Sequence, residues 1–310
     1  MMSAEHDPEQ LKLVVRQEQI ALTHGYPENL AKLYAREFRA RLVGTALVKQ
    51  ADLVESEHLA NIFGAAFANL VPMFLIQIAQ GNSVASRFVL QGTFEHELFG
   101  IAPTHKPIRM HLNGIHHFND EGKIREELLY WDNLAWMQQI GAIPSPTGTV
   151  TLPTIQPPSQ LWPGKSNKEA FHAAKVRLAY TAADAGAVDT FDQFYDPHFH
   201  GFESGGSSIE GVEAMRDRVR AFTSAVPNRK INVLETVAEG TLVATHIDMV
   251  GNFDRPLVQA NGMTVQPTGA PMSIAGVEFY SFDEHGMILQ SWPEFDVLDF
   301  LQQIGVIPKA

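Results

Sequence analysis

The 310-residue sequence contains no cysteine. That excludes disulfide staples, thiolate metal sites and a cysteine nucleophile, and it suits a chain kept in a reducing cytoplasm. Positive charge is scarce: 23 Lys and Arg against 35 Asp and Glu give a formal net charge of -12. A phosphate backbone is bound by clustered Lys and Arg that release counterions, so nucleic acid is not an expected partner. Long apolar runs are missing too. The most apolar stretch, residues 62–78, is interrupted by Asn69, Pro72 and Gln77 and is too short to span a bilayer, so no membrane partner is expected either. The first ten residues have neither the basic start nor the apolar segment of an export signal, which again points to the cytoplasm.

What is present is a globular composition, 45% hydrophobic and 19% charged, in a chain long enough for two cores. An internal repeat supports two domains. Gln138, Gln139, Ile140, Gly141, Ile143 and Pro144 recur as Gln302, Gln303, Ile304, Gly305, Ile307 and Pro308, a shift of 164. The same shift pairs Asp132 with Asp296, Gly122 with Gly286 and Phe118 with Phe282. Further back it becomes 159 where Gly92 meets Gly251, then 155 where Val71-Pro72 meets Val226-Pro227, and 161 where Tyr34 meets Tyr195. The expected domains are therefore residues 8–146 and 166–310. The Pro- and Gly-bearing stretch 147–165, unsuited to a regular ladder, is expected to link them.

Within the second copy, residues 168–185 have helical apolar spacing and end at Gly186, residues 188–195 suggest a short helix, and 209–225 a third that stops before Pro227. Residues 231–237, 242–249, 272–282 and 287–292 read as strands, with turns at Glu239-Gly240 and His285-Gly286. Helices first and an antiparallel sheet afterwards is an α+β pattern in which a curved sheet wraps the helices.

Several residues in this order carry a resemblance: Tyr195-Asp196-Pro197 followed by His200, Val226-Pro227-Asn228 after a helix, the Pro267-Thr268-Gly269 loop, and Gly286-x-Ile288-x-x-x-Trp292-x-x-x-Asp296 before Gln302-Gln303-Ile304-Gly305. Together they resemble the SnoaL-like polyketide cyclases, which have the nuclear transport factor 2-like fold. The resemblance is fuller in the second copy. It implies two tandem cones, a deep pocket, no cofactor, and acid-base chemistry such as ring closure or isomerisation on a small apolar or aromatic molecule.

It also implies site residues. The family's catalytic carboxylate matches Asp296, and Asp132 in the first copy. A carboxyl facing an apolar cone has its pKa raised and can act as general acid or base; the competing reading is that each Asp caps the helix that follows. His246 and Asp248, two apart in one strand, share a face. With Asp296 they resemble the Arg-x-Asp plus Asp set of limonene-epoxide hydrolases, with His in place of Arg, so an epoxide-hydrolase-like reaction is the alternative; a solvated strand face is the bland reading. Trp292, Tyr195, His200 and Phe253 are the expected substrate-binding residues. In the first copy Arg87 and Val89 stand at the His-x-Asp positions, which predicts a degenerate site of Arg87 and Asp132. His116 and His117 point to opposite faces, and no spacing suggests a metal site. A non-catalytic ligand-binding or assembly role remains open, because fold does not fix function.

One asymmetry bears on partners. Against Arg216, Asp217, Arg218 and Arg220 of the second copy, a shift of 155 sets Asn61, Ile62, Phe63 and Ala65. An apolar helix at residues 62–67 is then expected to pack on the other domain or on another chain as a homo-oligomer. The two copies are expected to pack face to face, as a homodimer of single domains would.

Overall fold

The computed structural model describes residues 6–43, 51–145, 152–155, 167–203, 207–258 and 264–308. The chain divides into two compact units, residues 1–157 and 158–310. Most of the stretch expected to be the linker lies outside the described residues.

The first unit runs α1 (Pro8–His24), α2 (Pro27–Leu33), β1 (Tyr34–Val43), α3 (Leu53–Ala66), β2 (Phe67–Gln80), β3 (Ser83–Phe94), β4 (Pro107–Phe118), β5 (Ile124–Trp131) and α4 (Asn133–Gln139). Its ends are set by local chemistry. Asp7 caps α1, whose first position is Pro8, and Gly25 closes it in the left-handed region at φ 67°. Asp52 and Glu55 form a reciprocal capping box at the start of α3. The sheet order is β1-β5-β4-β3-β2, with β1 parallel to β5 and the other pairs antiparallel.

The second unit repeats the plan: α5 (Glu169–Asp184), a 3-10 turn (Val188–Gln193), β6 (Tyr195–Phe202), β7 (Ser208–Glu210), α6 (Gly211–Ala225), β8 (Lys230–Glu239), β9 (Leu242–Asn252), the short pair β10 (Leu257–Val258) and β11 (Thr264–Val265), β12 (Pro271–Phe282), β13 (Ile288–Phe295) and α7 (Val297–Gln303). Its main sheet is ordered β7-β6-β13-β12-β9-β8. The expected helices and the four later strands are present. The sheet is not wholly antiparallel, because β6 runs parallel to β13. Pro197 hides this strand in the sequence, since proline cannot donate to a ladder. It is tolerated here because β7 pairs only with residues 200–202, leaving Pro197 without a partner strand on that side.

The two units also correct the repeat. Backbone N–H groups of Glu95 and His96 donate to the Ala66 carbonyl, and those of Asp254 and Arg255 to the Ala225 carbonyl. Both pairs obey a shift of 159, so α3 and α6 end at equivalent residues and the shift of 155 does not occur. Val71 and Pro72 lie inside β2, whereas Val226 and Pro227 precede β8. Gly92 and Gly251 obey the same shift for a steric reason. A Cβ at either would come within 3.0 Å of Ala68 O or 2.5 Å of Val226 Cγ1, respectively.

In this alignment Phe63 matches Phe222. Phe63 packs on Trp136 at 6.0 Å between ring centroids, and Phe222 on Phe300, the equivalent of Trp136, at 6.2 Å. Ile62, Phe63 and Phe67 are thus part of their own unit's core, Phe67 being where β2 begins. The contrast with Arg216, Asp217, Arg218 and Arg220 that suggested an outward interface came from comparing residues one helical turn apart.

Strand alternation sorts the side chains. In β9 and β12, Val243 and Tyr280 belong to one interior cluster, and Met249, Met272 and Ile274 to another. Residues 244, 246 and 248 therefore face the opposite side of that sheet. In the first unit Val84, Phe88 and Leu90 face the interior, which places Arg87 on the other side. Trp136 is fully buried where α4 closes the cone, and truncating such a residue costs about 3–5 kcal/mol.

Candidate functional site

The expected second-copy residues do not share one wall. Asp296 is buried at the start of α7 and accepts the Asp299 N–H at 3.0 Å, the geometry of an N-cap. Asp132 does the same with Ala135 at 3.0 Å, and burial, opposed by the backbone N–H groups of Ala135 and Leu134, raises its pKa. The capping reading is present in both copies.

His246 and Asp248 share a face as expected, but it is the one turned from the interior. His246 Nδ1 lies 3.6 Å from Glu235 Oε1, and Asp248 accepts from Asn232 Nδ2 at 2.7 Å. Trp292 stacks on Phe202 on that same side, and His200 stacks on Phe202 and approaches Glu210 at 3.1 Å. Only Tyr195 and Phe253 of the expected substrate-binding set reach interior clusters. In the first copy Arg87 is buried and donates to Asn113 Oδ1 at 2.9 Å, with His111 Nδ1 at 3.0 Å.

The interior of the first unit holds what the sequence did not reveal. A cavity of about 100 Å³, partly open, is lined by α1, α3, the sheet and α4. A site for one water needs roughly 10–15 Å³, so the chamber has room for several waters or a small organic group. Its wall is largely apolar, with Leu59, Leu90, Met110, Leu112, Trp131 and Trp136 prominent, and its polar positions include Glu127, Tyr34 and Gln19.

Behind Glu127 stands a buried cluster. His116 Nε2 lies 2.9 Å from Glu18 Oε2 and 3.3 Å from Glu127 Oε1. Gln19 Nε2 is 3.3 Å from oxygens of both carboxylates. These groups come from three elements. Glu18 and Gln19 sit on α1, which lies against the sheet; His116 is on β4 and Glu127 directly opposite it on β5. The pairing brings the last two together, and the helix supplies the rest.

The electrostatics follow from burial. Burial alone would lower the His116 pKa, but the Glu18 charge and contacts with both carboxylates outweigh it and raise it from 6.5 to about 10. Burial and then the charge of Glu18 raise Glu127. Burial, then the charges of Glu18 and Glu127, hold the Tyr34 hydroxyl well above its usual pKa, so it stays a phenol. These groups meet at the end of an apolar chamber.

No sequence spacing could have exposed this set, since Glu18, His116 and Glu127 are far apart in the chain. Its only local hint was that His116 alternates with His117, which placed one imidazole inside.

The second unit holds a different cluster at the equivalent place. His116 corresponds to Tyr280, Glu127 to Ser291, Gln19 to Tyr180 and Tyr34 to Tyr195. Tyr180 donates to Glu278 at 2.6 Å and Tyr280 to Tyr180 at 2.7 Å. Burial raises the Glu278 pKa, opposed by hydrogen bonds from Tyr180, Tyr280 and Ser291.

The fold and the chamber describe a tandem of two α+β units, the first built around a ligand-sized cavity. The chain belongs to the SnoaL-like polyketide cyclase family, whose profile matches residues 12–140 and again residues 174–304. Among similar solved structures are a SnoaL-like polyketide cyclase from Jannaschia sp. CCS1 (18% identity, TM-score 0.42, 47% of this chain and 100% of that one) and IdmH of Streptomyces antibioticus (25%, 0.39, 43% and 99%). An LEH-like epoxide hydrolase of M. tuberculosis also matches (16%, 0.35, 44% and 91%). None of the curated proteins matches the chain.

Proposed function

We propose that this protein is a proton-transfer enzyme acting on a small apolar or aromatic carbonyl compound, and that its working chamber is in the first copy. The observation that carries this reading is the largely apolar cavity with Glu127 on its wall and His116 and Glu18 behind. Such a chamber binds an apolar body by burial and fixes it with few polar groups. The Glu127 carboxylate removes a proton from the carbon next to the carbonyl, and the electron pair passes to the carbonyl oxygen. The Tyr34 hydroxyl donates a hydrogen bond to that oxygen. The proton then returns from Glu127, either to another carbon, which is isomerisation, or to the alkoxide formed when the carbanion attacks a second carbonyl, which is aldol ring closure. His116 is a positioning residue that holds Glu127 and balances its charge.

The Arg-x-Asp-like positions of both copies face away from the interior, so the epoxide-opening alternative lacks a matching set on the chamber wall among the described residues. Acetophenone in D₂O tests the reading, with exchange of its methyl protons followed by NMR. Glu127→Gln is expected to slow exchange by roughly 10²–10⁴-fold. Exchange at an unchanged rate would remove Glu127 from the chemistry.

A further inference from the structure

The polar end of the first chamber has a second capability, which goes beyond the cofactor-free chemistry that the family resemblance implies. Glu18, His116 and Glu127 converge there, one ligand atom of each lying within 4.8 Å of the others and all three side chains buried. We propose that Glu18, His116 and Glu127 form a binding site for one divalent transition-metal ion, with a remaining coordination position open to the chamber.

Three observations support it. The first is spacing. Oxygen and nitrogen donors lie about 2.0–2.1 Å from a zinc-like ion, so neighbouring donors sit about 2.9–3.4 Å apart between right-angled and tetrahedral geometry. The contacts from His116 to Glu18 and to Glu127 are 2.9 and 3.3 Å. The second is unmet hydrogen bonding. His116 Nε2 is close to both oxygens, yet neither lies where its N–H would point. Glu18 Oε1, also buried, lacks a hydrogen bond of good geometry. An ion uses lone pairs, and lone pairs are what these atoms present. The third is charge. Two carboxylates and a neutral imidazole carry -2, which a dication cancels, whereas one proton on the imidazole leaves -1 in a buried place.

The donor set, two oxygens and one imidazole nitrogen, suits Zn²⁺, Fe²⁺ or Mn²⁺ better than a soft ion. Glu127 and Tyr34 line the cavity, so an ion held here is reached from the chamber. Occupation opposes proton transfer, because an ion bound to one Glu127 oxygen draws charge from the carboxylate and weakens it as a base. That consequence, inhibition by metal, rests on the function proposed above; the binding does not.

The test is calorimetric titration of Zn²⁺ into the full chelator-stripped chain, without substrate. One ion per chain is expected, with affinity reduced at least roughly 10-fold in Glu18→Gln and in His116→Asn. No binding to the folded chain, or equal binding by both variants, overturns the site. Should the variants unfold, X-ray absorption of the Zn²⁺-loaded native chain decides. One imidazole nitrogen with oxygens at about 2.0–2.1 Å is expected, and a shell without imidazole overturns the proposal. Acetophenone exchange by the metal-free chain is a separate measurement, so either reading can fail while the other stands.

Discussion

The two copies share a backbone plan and differ in the side chains that line the interior. In the first, Leu59 and Leu42 form part of an apolar wall. In the second, Arg218 and Glu203 stand at those positions and form an ion pair. Leu112 and Trp131 of the first become Gly276 and Phe295, with the Phe295 ring over the glycine where a Cβ would come within 2.1 Å of it. At the polar end, two carboxylates and an imidazole face three tyrosines and one glutamate. The lesson is that a repeat preserves helices, strands and caps through spacing while the interior diverges residue by residue. The better family ending lies in the second copy, and the apolar cavity around Trp136 lies in the first.

Transplanting the difference should have the largest effect. Leu42→Glu combined with Leu59→Arg sets the second copy's ion pair into the first chamber's wall. Acetophenone affinity is expected to fall more than 100-fold, because the pair occupies apolar volume and brings charge to it. Retained affinity with an intact fold would detach the ligand from this cavity.

A smaller effect separates the two polar ends by pH. Burial raises Glu278, and a carboxyl whose folded pKa lies above its unfolded value, about 4.3, costs stability above that value and not below it. Glu278→Gln, which can still accept from Tyr180, is expected to raise the melting temperature at pH 7 and to leave it nearly unchanged at pH 4. A loss at pH 7 would mean that the ionised carboxylate is the favoured form.

The smallest effects should be equal in the two copies. Asp132→Ala and Asp296→Ala each remove an N-cap and are expected to cost about 1 kcal/mol in chemical denaturation, while Asn at either position costs much less. A loss of exchange activity in Asp296→Asn alone would restore the second copy as the active one.

Much of the fold was legible because it is written in periodic patterns and punctuation. Gly25 and Gly186, the shift of 164 across the last two strands and final helix, and the capping aspartates all have local signals. β6 was not legible, because Pro197 interrupts its strand pattern. The shift of 155 failed because Val-Pro occurs in both copies at unrelated places. The site was least legible. His246 and Asp248 were correctly given one common face, but two-residue alternation does not say which face is interior. The His116 cluster depends on where α1 docks, which no spacing encodes.

The central claim is that ligand enters the first chamber, and intermolecular NOEs from bound acetophenone to a methyl-labelled chain test it most directly. Met110 and Leu90 line that chamber, and Ile274 and Met249 are their counterparts in the second copy. NOEs to the methyl groups of Met110 and Leu90 are the predicted result, and NOEs confined to Ile274 and Met249 would contradict it.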